Sequence, residues 1–130
     1  MTTIADKLQQ VQHRVAQACE RAGRDPASVL LLAVSKTFGP DAVLEAARAG
    51  QHAFGENYLQ EAVEKMAALR QMGAPTLQWH CIGPVQSNKT RLVAEHFDWM
   101  HTVDRLKVAQ RLSDQRPAHL PPLQVCIQIN

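Results

Sequence analysis

A chain of 130 residues has room for one domain with a real hydrophobic core and too little for two. Its composition, 45% hydrophobic and 20% charged with a formal net charge of +2, is that of an ordinary soluble globular protein, and the charge is too small to argue for nucleic acid. No apolar run approaches membrane-spanning length, the N-terminal MTTIADKLQQ lacks a signal-type apolar centre, and three cysteines without a CxxC pair suit reduced thiols in a cytoplasmic protein.

Ile4, Leu8, Val11, Val15 and Cys19 recur at spacings of three and four, which predicts an amphipathic helix ending near Gly23, followed by the loop GRDPAS. Val29–Val34, VLLLAV, is a continuous apolar run of the kind buried on both faces of a parallel sheet. Gly39-Pro40-Asp41 opens a second helix with Val43, Leu44 and Ala47 on one face and Gly50 where a C-terminal cap belongs. HAFGEN is a short strand, and 58–72 is a helix with Leu59, Val63, Met66 and Leu69 inward, stopped by Gly73. LQWHCIG is a strand, after which Ser87 is placed to cap a helix reaching about His96. FDWMHTV is the next strand, Asp104 is placed to cap a helix carrying Leu106, Val108 and Leu112, and PPLQVCIQIN is a final strand.

Strands alternating with helices predict an α/β fold of right-handed βαβ units around a parallel sheet. Five strands, four connecting helices and one helix in front make a single domain over residues 1–130. Two architectures accept that order, an open doubly wound sheet and part of a (β/α)8 barrel. No GxGxxG follows any strand and there is no Walker A loop, which weighs against the open nucleotide-binding sheet.

In either architecture a site forms where the carboxyl ends of parallel strands meet. Those ends carry Ser35-Lys36, Glu56-Asn57, His80 with Gly83, His101-Thr102, and Gln128 with Asn130. Lys36 is either a solvated strand-end lysine or an amine presented in a pocket, where desolvation frees its lone pair to attack an aldehyde. Asn57 either caps the adjoining helix or orients a ring or hydroxyl of a ligand. His80 is either a hydrogen-bonded core histidine or a pocket residue. A metal site is not expected: the His and Cys residues lack ligand spacing, and adjacent His80 and Cys81 point to opposite faces of a strand. In IGPVQSNKT, Gly83-Pro84 makes a tight exit from the strand. Ser87, Asn88 and Lys89 then form either an ordinary helix start or an anion seat, and spacing favours the ordinary start.

The stretches LLAVSKT, FGENYLQEAVEK, LQWHCIGPVQSNKTRLVAEHFDWMHTVDR and PPLQVCIQIN closely resemble the pyridoxal phosphate homeostasis proteins, the YggS/PROSC family, from the first helix to the last residue. The resemblance implies a TIM-type barrel like the N-terminal domain of alanine racemase, with pyridoxal 5′-phosphate held as a Schiff base on Lys36 of the SKT motif. Asn57 of GENY, His80 of WHCIG and Ile82 would line the cofactor pocket. The family's role implies cofactor binding, buffering and delivery in the cytoplasm, with no catalytic turnover and no metal.

Members of that family continue well past the fifth strand, where this sequence stops. By the family pattern, the further part carries the serine- and glycine-rich loops that hold the phosphate and the arginine facing the pyridine nitrogen. The expectation is therefore the N-terminal part of a (β/α)8 barrel, truncated after the fifth strand, that binds the cofactor more weakly than a full-length relative. The full-length relative is expected to be monomeric, with a small-molecule cofactor and neither nucleic acid nor membrane as partner. The unpaired VLLLAV and LQVCIQI edges predict self-association of the 130-residue chain. Two alternatives stand beside this reading. A racemase-like enzyme needs a second acid/base across the cofactor, usually a tyrosine, and only Tyr58, at a helix start, is available. The other alternative is an inactive truncated remnant.

Overall fold

Parallel pairing between consecutive strands organises the computed structural model, which describes residues 3–130. Strands β1 (Ala33–Val34), β2 (Ala53–Glu56), β3 (Gln78–Cys81), β4 (Trp99–Val103) and β5 (Gln124–Ile127) form one sheet in the order β1-β2-β3-β4-β5, every pair parallel. Helix α1 (Ile4–Arg21) precedes the sheet, and α2 (Pro40–Arg48), α3 (Leu59–Gln71), α4 (Thr90–His96) and α5 (Leu106–Gln115) connect successive strands. A doubly wound sheet reverses its strand order at a switch point, whereas a barrel adds strands in chain order. The observed order is that of a barrel wall, which decides between the two architectures the alternation allowed.

One face of the sheet packs on the helices. Phe54, Trp79, Cys81 and Met100 point that way and meet Val43, Ala62, Met66, Val93, Phe97 and Val108 in a continuous core. Strand alternation then sends Gly55, His80 and Trp99 to the opposite, inner face. Local chemistry sets several boundaries. Thr3 and Asp6 form a reciprocal capping box at the start of α1, and Gly50, at φ 104°, turns the chain out of α2 in a conformation that favours glycine.

Three expectations need correction. The apolar run 29–34 yields only two strand residues, and it is not buried on both faces: Leu30 is 62% and Val34 50% exposed. β1 pairs with β2 alone, so no second neighbour draws the preceding residues into a ladder. Ser87 does not cap a helix; it opens a 3-10 turn, Ser87–Lys89, and α4 begins only at Thr90. Asp104 is not the cap of α5. Arg105 occupies that position without a side-chain bond, and Asp104 lies 3.6 Å from the Arg105 guanidinium instead.

Arg116 fixes the last connection. Its guanidinium donates to the carbonyls of Ala94 at 2.9 Å and Phe97 at 2.6 Å, at the end of α4, and to the Pro121 carbonyl at 2.9 Å on the way to β5. A rigid fork thus satisfies helix-end acceptors and pins the loop together. Arg116→Met is expected to lower the unfolding free energy by about 1.5–3 kcal/mol, with Arg116→Lys recovering only part of the loss. Urea midpoints equal to wild type in both variants would show that the staple contributes nothing.

Candidate functional site

The ladder register sets the level of each strand end. Val34 lies opposite Gly55, and Glu56 opposite Cys81. Ser35 is thus level with Glu56 and Cys81, and the next residues, Lys36, Asn57 and Ile82, leave the sheet side by side at its carboxyl edge. The Ile82 N–H donates to the Glu56 carbonyl at 3.0 Å and extends the ladder to that row. Two glycines keep the row tight. A Cβ on Gly55 would lie 3.1 Å from Ile82 Cδ1, so the bare Cα lets the isoleucine lie across the inner face of β2. A Cβ on Gly83 would lie 3.0 Å from Asn57 Cγ, and the Gly83 carbonyl accepts the Thr102 hydroxyl at 2.7 Å. Asn57, Gly83 and Thr102 thus converge from three successive strands.

His80 lies two residues below Ile82 on the same face of β3. Its ring stacks on Trp99, with centroids 5.5 Å apart and planes 3° from parallel. Nε2 lies 2.8 Å from Gln78 Oε1 and Nδ1 2.8 Å from His101 Nε2. Because the Gln78 oxygen can only accept, His80 Nε2 carries the hydrogen and Nδ1 accepts from His101 Nε2–H. Both ring nitrogens are occupied, and the imidazole forms part of a shelf with Trp99 and His101 beneath the row.

Lys36 itself is half-buried within a tight turn. The Phe38 N–H donates to the Ser35 carbonyl at 3.1 Å, closing a four-residue turn with Lys36 second and Thr37 third. Thr37 has φ 69°, the left-handed value that a type II turn asks of its third residue and that glycine ordinarily supplies. For a β-branched residue this is a strained state costing on the order of 1–3 kcal/mol. Beneath the turn lies a buried ion pair. Lys65 Nζ is 2.9 Å from Glu56 Oε2 and donates to the Ser35 carbonyl at 2.9 Å, while the Ser35 hydroxyl donates to the same Glu56 oxygen. Glu56 and Lys65 are 0% and 4% exposed. Sequence reasoning took Glu56 as one more strand-end polar residue and missed Lys65 altogether. The signal was there: Lys65 stands three residues after Ala62 and four before Leu69, on the stripe that faces the core.

The remaining candidates are less central. Burial pushes the Cys81 thiol up to about 11, which keeps it protonated and unreactive. Among the described residues no group of three or more His, Cys, Asp or Glu side chains is arranged to hold a metal, and no helix is long and apolar enough to cross a membrane. A cleft of about 650 Å³ beside Asn57 is lined by Tyr58, Gln86, Lys89 and Arg105 among others. Of the suggested anion seat, only Lys89 reaches it.

A barrel wall of parallel strands added in chain order defines a fold class, and comparison with known proteins agrees. Residues 7–130 match the alanine racemase N-terminal domain family, and the chain belongs to it. A pyridoxal phosphate homeostasis protein of Escherichia coli is 58% identical over all 130 residues, covering 56% of its own length; one of Pseudomonas aeruginosa is 61% identical, covering 55%. PipY of Synechococcus elongatus, solved with pyridoxal phosphate bound, is 41% identical with a TM-score of 0.69, over 87% of this chain and 48% of that one. An unknown protein from Bifidobacterium adolescentis gives a TM-score of 0.74 at 33% identity, over 86% of this chain and 49% of its own. The chain therefore spans little more than half the length of the curated relatives it matches.

The His80 shelf carries a pH dependence. Desolvation by burial, then the neighbouring His101, lower the His80 pKa from 6.5 to about 4, with Asp98 acting in the opposite direction. Between those values the unfolded chain binds the proton that the folded one refuses, so stability falls as pH drops from 6.5 towards 4. Denaturant titrations across that window should show a slope approaching about 1.4 kcal/mol per pH unit from this group, flattened in His80→Leu. An unchanged slope in the variant would remove His80 as the cause.

Proposed function

We propose that this chain binds pyridoxal 5′-phosphate in a cytoplasmic, cofactor-homeostasis role, with Lys36 as the Schiff-base lysine and Asn57, His80 and Ile82 lining the pocket. The carrying observation is the position of Lys36, held in a closed turn beside Asn57 and Ile82 in a chain 41% identical to a protein solved with that cofactor. The cofactor supplies an electrophilic aldehyde on a flat aromatic ring. The donor set on this edge fits such a group. Lys36 offers a primary amine, Ile82 an apolar surface, and Asn57 an amide that both donates and accepts. The stacked Trp99–His80 pair lies on the same face of the sheet, His80 two residues before Ile82 on β3. A lysine link of this kind is reversible, so one residue serves for both storage and release.

We read the role as non-catalytic. Moving a proton at a bound amino acid calls for a second acid/base across the ring, and Tyr58, at the N-cap of α3, is 53% exposed. The free cysteines, two of them buried, support a reducing compartment. Residues 1–130 are taken as the N-terminal part of a (β/α)8 barrel whose complete form is monomeric. By itself the chain presents exposed apolar residues on its two outer strands, Val34 on β1 with Val125 and Ile127 on β5, and we infer self-association through them. Sedimentation at micromolar concentration should reveal dimers or larger species; a strictly monomeric species with a cooperative melt would overturn that part.

The anchor is tested by adding pyridoxal phosphate at low concentration, reducing with borohydride and mapping the pyridoxyl mass. Lys36 is expected to carry the label, with Lys89 and Lys107 modified only at large excess. Lys36→Ala should lose both the label at that peptide and the yellow absorbance. Uniform labelling of all lysines would defeat the assignment, and rapid, Lys36-dependent exchange of the α-proton of alanine would favour the racemase-like reading.

A further inference from the structure

We propose that Glu56 and Lys65 are positioning residues for Lys36: a buried charge clamp that holds the Ser35–Phe38 turn in a backbone conformation the turn does not favour alone. The inference rests on the reading of Lys36 as the cofactor anchor. Neither side chain belongs to the inner face where a ligand would lie. Glu56 alternates with Gly55 and Asn57 and so points to the helices, where Lys65 of α3 meets it. Their action on Lys36 therefore passes through the backbone of Ser35.

The distribution of hydrogen bonds shows what the pair is for. Glu56 Oε2 takes both the Lys65 ammonium and the Ser35 hydroxyl, while Oε1, equally buried, has no hydrogen-bond partner among the described residues. Lys65 directs its ammonium at Glu56 and at the Ser35 carbonyl. The network converges on the residue immediately before Lys36 and leaves its own carboxylate half satisfied. Stability alone does not explain such an arrangement, because apolar side chains commonly replace a buried ion pair without loss. A methionine at position 65 would share the buried stripe of Ala62 and Leu69 but could not hold the Ser35 carbonyl. That carbonyl is also the acceptor that closes the strained turn, so the clamp acts where Thr37 at φ 69° would otherwise let the turn open. A second effect follows. Lys65, tied to two oxygens and buried, is removed from competition with Lys36 for an aldehyde.

The test uses the full chain and removes both charges together, as Glu56→Gln/Lys65→Met, so that neither is left stranded. Two signals are read. One needs no cofactor: hydrogen exchange of the Phe38 amide, whose acceptor is the Ser35 carbonyl. The other is the share of pyridoxyl label on Lys36 after borohydride reduction. The double variant is expected to melt cooperatively, exchange the Phe38 amide several-fold faster and lose selectivity for Lys36. Adding Thr37→Gly should restore both signals, since glycine adopts the positive φ without strain, whereas a purely structural defect would not respond to that change. Glu56→Gln alone keeps an acceptor for Ser35 and Lys65, and should give an intermediate effect in a folded protein. Unchanged Phe38 exchange in the double variant, or no rescue by Thr37→Gly, overturns the clamp. Failure of the wild-type chain to label at Lys36 would instead overturn the anchor, and the Phe38 exchange would still decide the clamp.

Discussion

The carbonyl oxygen of Ser35 accepts two hydrogen bonds, one from the Phe38 N–H and one from the Lys65 ammonium, and the geometry of the candidate site depends on it. The first bond closes the turn that carries Lys36; the second ties that turn to α3, and through Glu56 to the end of β2. The turn and α3, which are distant in sequence, thus meet on one backbone atom. A buried carbonyl is a strong acceptor that must be satisfied, and here its two lone pairs join a local turn to a tertiary ion pair.

The two faces of the sheet divide the work. Cys81 and His80 are neighbours in the chain, yet one lies in the core under the helices and the other in the polar shelf of the inner face. The same alternation separates Glu56, which faces α3, from Asn57, which leaves at the row with Lys36 and Ile82. Helix-side residues fix the scaffold; inner-face residues are the ones a ligand could touch. Barrel enzymes and binding proteins share this arrangement because every strand delivers one end to the same rim.

Much of this was legible in the sequence because it depends on period and polarity. Short apolar runs alternating with segments of period three or four located all five strands and the helices between them. The misreadings come from information that local pattern does not hold. VLLLAV looks like a central strand, but its burial depends on how many neighbours it has, and it has one. Ser87 and Asp104 are good capping residues whose positions were decided by a 3-10 turn and by a pairing with Arg105. Lys65 was passed over, since lysine rarely goes inside unpaired; its partner lies on another element, and only the fold brings them together. The strained Thr37 is invisible to any propensity, because threonine is a poor choice for that conformation and is held there by its surroundings.

The strand order has a bearing on how such a chain is made. In a sheet ordered β1-β2-β3-β4-β5, every strand pairs with the one synthesised just before it. A ribosome releases residues one at a time from the N-terminus, so each strand emerges to find its partner already in place and the intervening helix ready to cover the joint. No strand waits for a later one to be inserted between two earlier ones, as a doubly wound sheet requires. The wall can grow by accretion, with short loop closures at each step. The Ser35–Phe38 turn is secured only when α3 has been translated and Lys65 docks beneath it. The order of synthesis thus becomes the order in which the lysine-bearing rim is assembled.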